Sequence, residues 1–234
     1  MSLLNSLGGL LSQQQVQKTT DTFLSNGKPI RIDRFLPVSD KKYPAVIALH
    51  GSNGMSESFS EQPARMLAGS GFAVFLLHYF ERTGAVIPSK AEMHDLFPEW
   101  MATISDSMAY VNQLSRVQKD CVALIGFSLG AFLALSVGST DPRVKTVVDF
   151  CGGLPEDLAT QCAQMPPTLI LHGELDDRVP VAEAHKMEAL MKRTDSAYET
   201  KIYPGVGHFF SGFTMLDAAQ RTLAFLKKHL VDGR

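Results

Sequence analysis

Three side chains in this sequence have the types and the chain order that nucleophilic acyl transfer requires: Ser128 in GFSLG, an acid from the pair Asp176-Asp177 in GELDDRVPV, and His208 in PGVGHFF. A serine hydroxyl is a weak nucleophile at neutral pH. It needs an imidazole to take its proton and a carboxylate to hold that imidazole in the working tautomer. The order serine, acid, histidine accompanies a nucleophile raised on a sharp strand-to-helix turn. A GxSxG pattern alone arises by chance in roughly one chain in twelve of this length, so the setting of each residue must carry the reading.

The apolar run Val122 to Ile125 before the motif and the apolar, helix-forming run after Gly130 predict a buried strand, a tight turn and a helix with Ser128 at the apex. Gly126 and Gly130 suit that turn, where side chains would meet the neighbouring strand and helix. The N–H of Leu129 opens the helix and points where an oxyanion would form. A second donor is expected from the loop after YPAVIALHG, where Ser52 or Asn53 follows His50 and Gly51; His50 itself reads as a structural histidine at a strand end. The strand PTLILHG ends one turn before Asp176 and Asp177, either of which could orient a histidine. His208 lies in a glycine-bearing loop after the last strand, TKIY.

The remaining elements must hold these loops at one sheet edge. Asn26-Gly27 between two alternating runs predicts a hairpin over residues 20–36 at the edge of the sheet. GFAVFLLHYF and VKTVVDFCGG are continuous apolar runs of the kind found in parallel strands buried on both faces. Trp100, Ile104, Met108, Val111 and Leu114 fall on one face of a helix expected from Pro98. Residues 81–97 lack a period and contain Pro88, which predicts a long loop over the active edge, a placement suited to a lid, with Arg82 at its base where a substrate anion could be met. The pattern predicts an α/β fold: a mostly parallel sheet with an N-terminal antiparallel hairpin and helices on both faces. Residues 1–19 read as a lead-in, with leucines at 3, 4, 7, 10 and 11 in a short helix or subunit contact, and residues 20–234 as one domain.

A net charge of −2 gives no field that would gather nucleic acid or an anionic membrane. Cys121, Cys151 and Cys162 form no spaced framework, which reads as reduced thiols in a cytoplasmic protein. No apolar run reaches the roughly 18 residues of a membrane span. His94-Asp95 and His185 are too scattered for a metal site, so neither metal nor organic cofactor is expected. The expected partner is a small-molecule substrate, on a monomer or homodimer.

Over about residues 20–232 these segments resemble the α/β-hydrolases, and within them the dienelactone hydrolase-like group. The resemblance rests on the hairpin start, HGSNG, GFSLG, GELDDRVPV and PGVGHFF. It implies Ser128 as nucleophile, His208 as base, Asp176 as its partner through the spacing of Gly173, Asp176, Val179 and Pro180, and the N–H groups of Leu129 and Ser52 as the oxyanion hole. Three departures accompany it. Dienelactone hydrolases proper carry cysteine where Ser128 stands and a glutamate where Gly51 stands. Of their two carboxylate-binding arginines, Arg82 matches the first and Gly212 occupies the second position. The expected activity is therefore that of a serine hydrolase of small esters or lactones, with a peptidase, an acyltransferase or a catalytically silent binding protein of the same fold as alternatives.

Overall fold

The computed structural model describes residues 14–55 and 57–232; the leucine-bearing start of the chain lies outside them. Strands β1 (Val16–Ser25) and β2 (Lys28–Pro37) form a hairpin with Ser25 opposite Lys28. Asn26 and Gly27 turn it at φ 49° and 75°, the left-handed pair that a two-residue turn between twisted strands demands. The first strand begins at Val16, so the last residues of the expected lead-in belong to the sheet.

The chain continues through β3 (Tyr43–Leu49), α1 (Glu57–Gly69) and β4 (Ala73–Leu77), then a single 3-10 turn (Tyr79–Arg82) and α2 (Lys90–Val111). After α2 come β5 (Val117–Phe127), α3 (Leu129–Thr140), β6 (Val144–Phe150) and the short α4 (Glu156–Gln161). Then come β7 (Thr168–Gly173), α5 (Ala182–Arg193), β8 (Tyr198–Tyr203), α6 (Gly212–Lys227) and a final π-helical turn (Lys228–Asp232). All eight strands join one sheet in the order β1-β2-β4-β3-β5-β6-β7-β8. The β1–β2 and β2–β4 pairs are antiparallel and the rest parallel.

The continuous apolar runs are explained by burial on both faces. Alternate residues of one strand point to opposite sides: Ile47 and Leu124 pack with Trp100, Ile104 and Leu133 on one face, while Val46 and Ala123 pack with Ala64, Ala68 and Phe225 on the other. The strand order reverses direction around β3, because β4 lies on one side of it and β5 on the other. Open α/β sheets bind ligands at such a switch point, outside the carboxyl ends of the strands, and the loops carrying Ser52 and Ser128 both emerge there.

The stretch expected to be a loop over residues 81–97 is mostly helix. The Ser89 hydroxyl accepts the Glu92 N–H and the Glu92 carboxylate accepts the Ser89 N–H, a reciprocal cap that starts α2 at Lys90. Pro98 consequently sits inside the helix rather than at its first turn. Only residues 83–89 connect the 3-10 turn to the helix, so the length on which a lid was expected is not there.

Candidate active site

Ser128 lies between β5 and α3 with φ 53° and ψ −119°, a conformation side-chain-bearing residues rarely adopt. The surrounding structure holds it there. Its N–H donates to the Phe150 carbonyl at 2.9 Å, and its own carbonyl accepts the N–H groups of Ala131 and Phe132. The two flanking glycines are required by space. A Cβ on Gly126 would lie 2.1 Å from the Gly130 carbonyl oxygen, and one on Gly130 would lie 2.4 Å from that of Leu49. The elbow is thus wedged between the start of α3 and the end of β3. The Leu129 N–H is the first of the helix, where backbone donors have no intrahelical acceptor.

The histidine bonds one of the two adjacent acids. The His208 Nδ1–H donates to Asp176 Oδ2 at 2.7 Å, and both side chains are buried. Asp176 Oδ1 accepts the N–H groups of Arg178 and Val179, each at 2.9 Å. Burial would raise this carboxyl's pKa, but the bonds from Val179, His208 and Arg178 outweigh it and hold the pKa below the ordinary carboxylate value. Asp177, the neighbouring acid, is exposed.

Two loops have to meet for that bond to form. Leu175 N–H donates to Val206 at 2.9 Å, Glu174 N–H to Tyr203 at 3.0 Å, and the Gly205 N–H to the Glu174 carboxylate at 3.0 Å. Behind them, His172 is fully buried and its Nε2–H donates to the Val179 carbonyl at 2.8 Å, pinning the acid turn from below. Sequence reasoning did not single out His172; its signal was its place at the end of β7, directly before Gly173. Cys151, His172 and Asp176 each bring a potential ligand atom within 4.8 Å of the others. They fit a metal poorly: burial pushes the Cys151 thiol pKa up, against the thiolate a metal needs, and Asp176 is already engaged by His208 and two amides.

The His208 ring packs against Phe127, the residue before the serine, with centroids 5.0 Å apart, and against Phe209 at 5.2 Å. A cleft of about 880 Å³ opens at Ser128, lined also by Leu129, Ser52, Lys90 and Arg178 among others. Ser52 therefore shares the cleft with the nucleophile. His50 does not act there: its Nδ1–H donates to the Gly51 carbonyl at 2.8 Å, it stacks on Tyr79 at 4.1 Å, and burial lowers its pKa to about 4.

Arg82, expected to meet a substrate anion, is turned away from the cleft. It is buried, its Nη1 donates to Ser25 Oγ at 2.6 Å and lies 3.5 Å from Asp106, and its Nε lies 3.4 Å from Glu99. These partners tie the hairpin to α2. Arg178 instead faces the cleft, its guanidinium 5.0 Å from the centre of the Phe209 ring and, among the described residues, without a carboxylate partner. Its signal in the sequence was adjacency to the acid pair.

A mostly parallel sheet with a serine at the strand-to-helix elbow and an acid and a histidine on later loops defines an α/β-hydrolase. More narrowly, the chain belongs to the dienelactone hydrolase family, whose sequence model matches residues 13–225, and it is a hydrolase of the kind that acts on ester bonds. A "Probable 2-oxo-3-(5-oxofuran-2-ylidene)propanoate lactonase" of Bradyrhizobium sp is 24% identical over 222 residues, covering 85% of this chain and 89% of that protein. Acyl-coenzyme A thioesterase 6 of Homo sapiens is 36% identical over 111 residues, 47% of this chain, and the match spans only 24% of that protein's length. The dienelactone hydrolase structure from Anabaena variabilis superposes with a TM-score of 0.76 over 93% of this chain and 100% of that one, at 16% identity, a likeness of fold. No helix among the described residues is long and apolar enough to cross a membrane.

Proposed function

We propose that the chain is a serine hydrolase that cleaves carboxylic esters or lactones through an acyl-enzyme on Ser128. The observation that carries this reading is the 2.7 Å bond between His208 and the buried Asp176, with the His208 ring packed on Phe127, the residue before a serine held in a strained turn. His208 takes the Ser128 proton as the hydroxyl attacks the carbonyl carbon, and Asp176 fixes the tautomer and stabilises the imidazolium. The backbone N–H groups of Leu129 and Ser52 receive the oxyanion; one such donor is worth about 3 kcal/mol of barrier. The imidazolium then protonates the leaving oxygen, and a water, deprotonated by the same ring, releases the acyl group.

The local match to an acyl-coenzyme A thioesterase favours a second reading, in which the scissile bond is a thioester. The same intermediates would serve, with a thiol as the leaving group. Labelling with a fluorophosphonate tests the common core. The wild-type chain is expected to be labelled, and Ser128→Ala and His208→Ala to lose the label. Folded wild type that stays unlabelled would remove the serine-hydrolase reading.

A further inference from the structure

The cleft is far larger than the space around one carbonyl. It runs from Ser128 between α4 and α5 as far as Arg193. Phe132 of α3, Leu154 and Pro155 before α4, and Met187 and Leu190 of α5 line it, Leu154, Met187 and Leu190 being nearly buried, and Glu156, Glu183, Lys186 and Arg193 bring charged side chains to the same cleft. Glu183, Met187, Leu190 and Arg193 recur at helical spacing along one face of α5, so the groove follows that helix for roughly 15 Å at 1.5 Å per residue. At the far end an Arg193 Nη2–H donates to the Ala159 carbonyl, joining α5 to α4 across the groove.

We infer that this groove binds the acyl chain of the substrate and that the Arg193–Ala159 bond sets the chain length it accepts; the inference rests on the acyl-enzyme reading above. The chain attached to the carbonyl carbon is the part that belongs there. Leu129 and Phe132 stand on the helix that begins at the nucleophile, so a group fixed to Ser128 as an acyl ester enters directly. The leaving oxygen instead faces His208, which packs against Phe127 and Phe209, and none of these three lines the groove. The apolar part of this lining rewards methylenes through the area it removes from water, while a short acyl group leaves it unused. Arg193 is exposed and belongs to no salt bridge among the described residues, so its removal opens the end without leaving a buried charge.

The test is a kcat/KM profile for p-nitrophenyl esters from acetyl to dodecanoyl, taken beside a series of alkyl acetates in which only the alcohol lengthens. With the wild-type chain, each methylene that reaches the groove is expected to raise kcat/KM by roughly two- to fourfold, until the chain meets the closure and the profile turns down. Arg193→Ala is expected to move that maximum to a longer acyl chain. A flat acyl profile, or a length dependence confined to the alkyl acetates, would overturn the assignment of the groove to the acyl chain. A maximum that stays in place in Arg193→Ala would overturn the role of the closure. Failure of the underlying reading looks different: the acetyl ester would not turn over at all, and Ser128 would not label.

Discussion

A Cβ built on Gly173 would lie 2.3 Å from the carbonyl oxygen of Gly207 and 2.4 Å from that of Val206, so the end of β7 and the loop carrying His208 touch through bare backbone. That approach allows the acid turn and the histidine loop to share their hydrogen bonds. Gly173→Ala would push the two loops apart, and misplacement near 1 Å is expected to cost about 100-fold in kcat. Steady-state kinetics beside a circular dichroism melt would check this. An alanine variant as active as wild type would show that the close approach is dispensable.

The two adjacent acids should differ sharply. Asp176→Asn keeps the shape but loses the anion that selects the His208 tautomer, and kcat is expected to fall by about four orders of magnitude. Asp177→Asn, at an exposed position, should stay within about twofold of wild type. Equal losses in the two variants would contradict the geometry.

Asp149 offers a test of stability against pH. It lies one residue before the end of β6, fully buried, with Oδ1 accepting the Gly152 N–H at 2.7 Å and Oδ2 without a hydrogen-bond partner among the described residues, and burial raises its pKa from 3.8 to about 7. Between those two values the unfolded chain releases this proton while the folded chain keeps it. Stability from this group therefore falls as pH rises from about 4 to about 7 and is level above. The span is on the order of 4 kcal/mol for a three-unit shift. In urea titrations at pH 4.5 and 8, Asp149→Asn should lose less stability over the interval than wild type. Parallel curves for the two proteins would refute it.

The arginines should separate into a binding group and a structural one. Arg178→Ala is expected to lower kcat/KM for carboxylate-bearing esters relative to neutral ones, because Arg178 faces the cleft with no carboxylate partner among the described residues. Arg82→Ala should leave that ratio alone and destabilise the fold by about 2 kcal/mol, since it removes a buried side chain that donates to the buried Ser25 and neighbours the half-exposed Asp106. An unchanged ratio in Arg178→Ala would remove it from substrate recognition.

Much of the scaffold was legible because its signals are local. Asn26-Gly27 set the hairpin through dihedral angles that few other dipeptides reach, and the apolar strand runs reported burial on both faces. The start of α2 was also written locally, in Ser89 and Glu92, but Pro98 is the louder signal and drew the expected boundary too far along the chain. The placement of Arg82 was not legible for another reason. Sequence position puts it at the active edge, while its side chain answers to Ser25 and Asp106, which are distant in sequence and adjacent only in space.

The sequence by itself determined the elbow around Ser128, the order of the three reactive groups and the class of sheet, since each follows from residue types within a few positions of one another. Only the tertiary structure brought Asp176 rather than Asp177 against His208, turned Arg82 inward and Arg178 toward the cleft, and opened the groove along α5. Neighbours in sequence share a turn and a composition. Which of them meets a histidine 32 residues further on is fixed by how two loops pack.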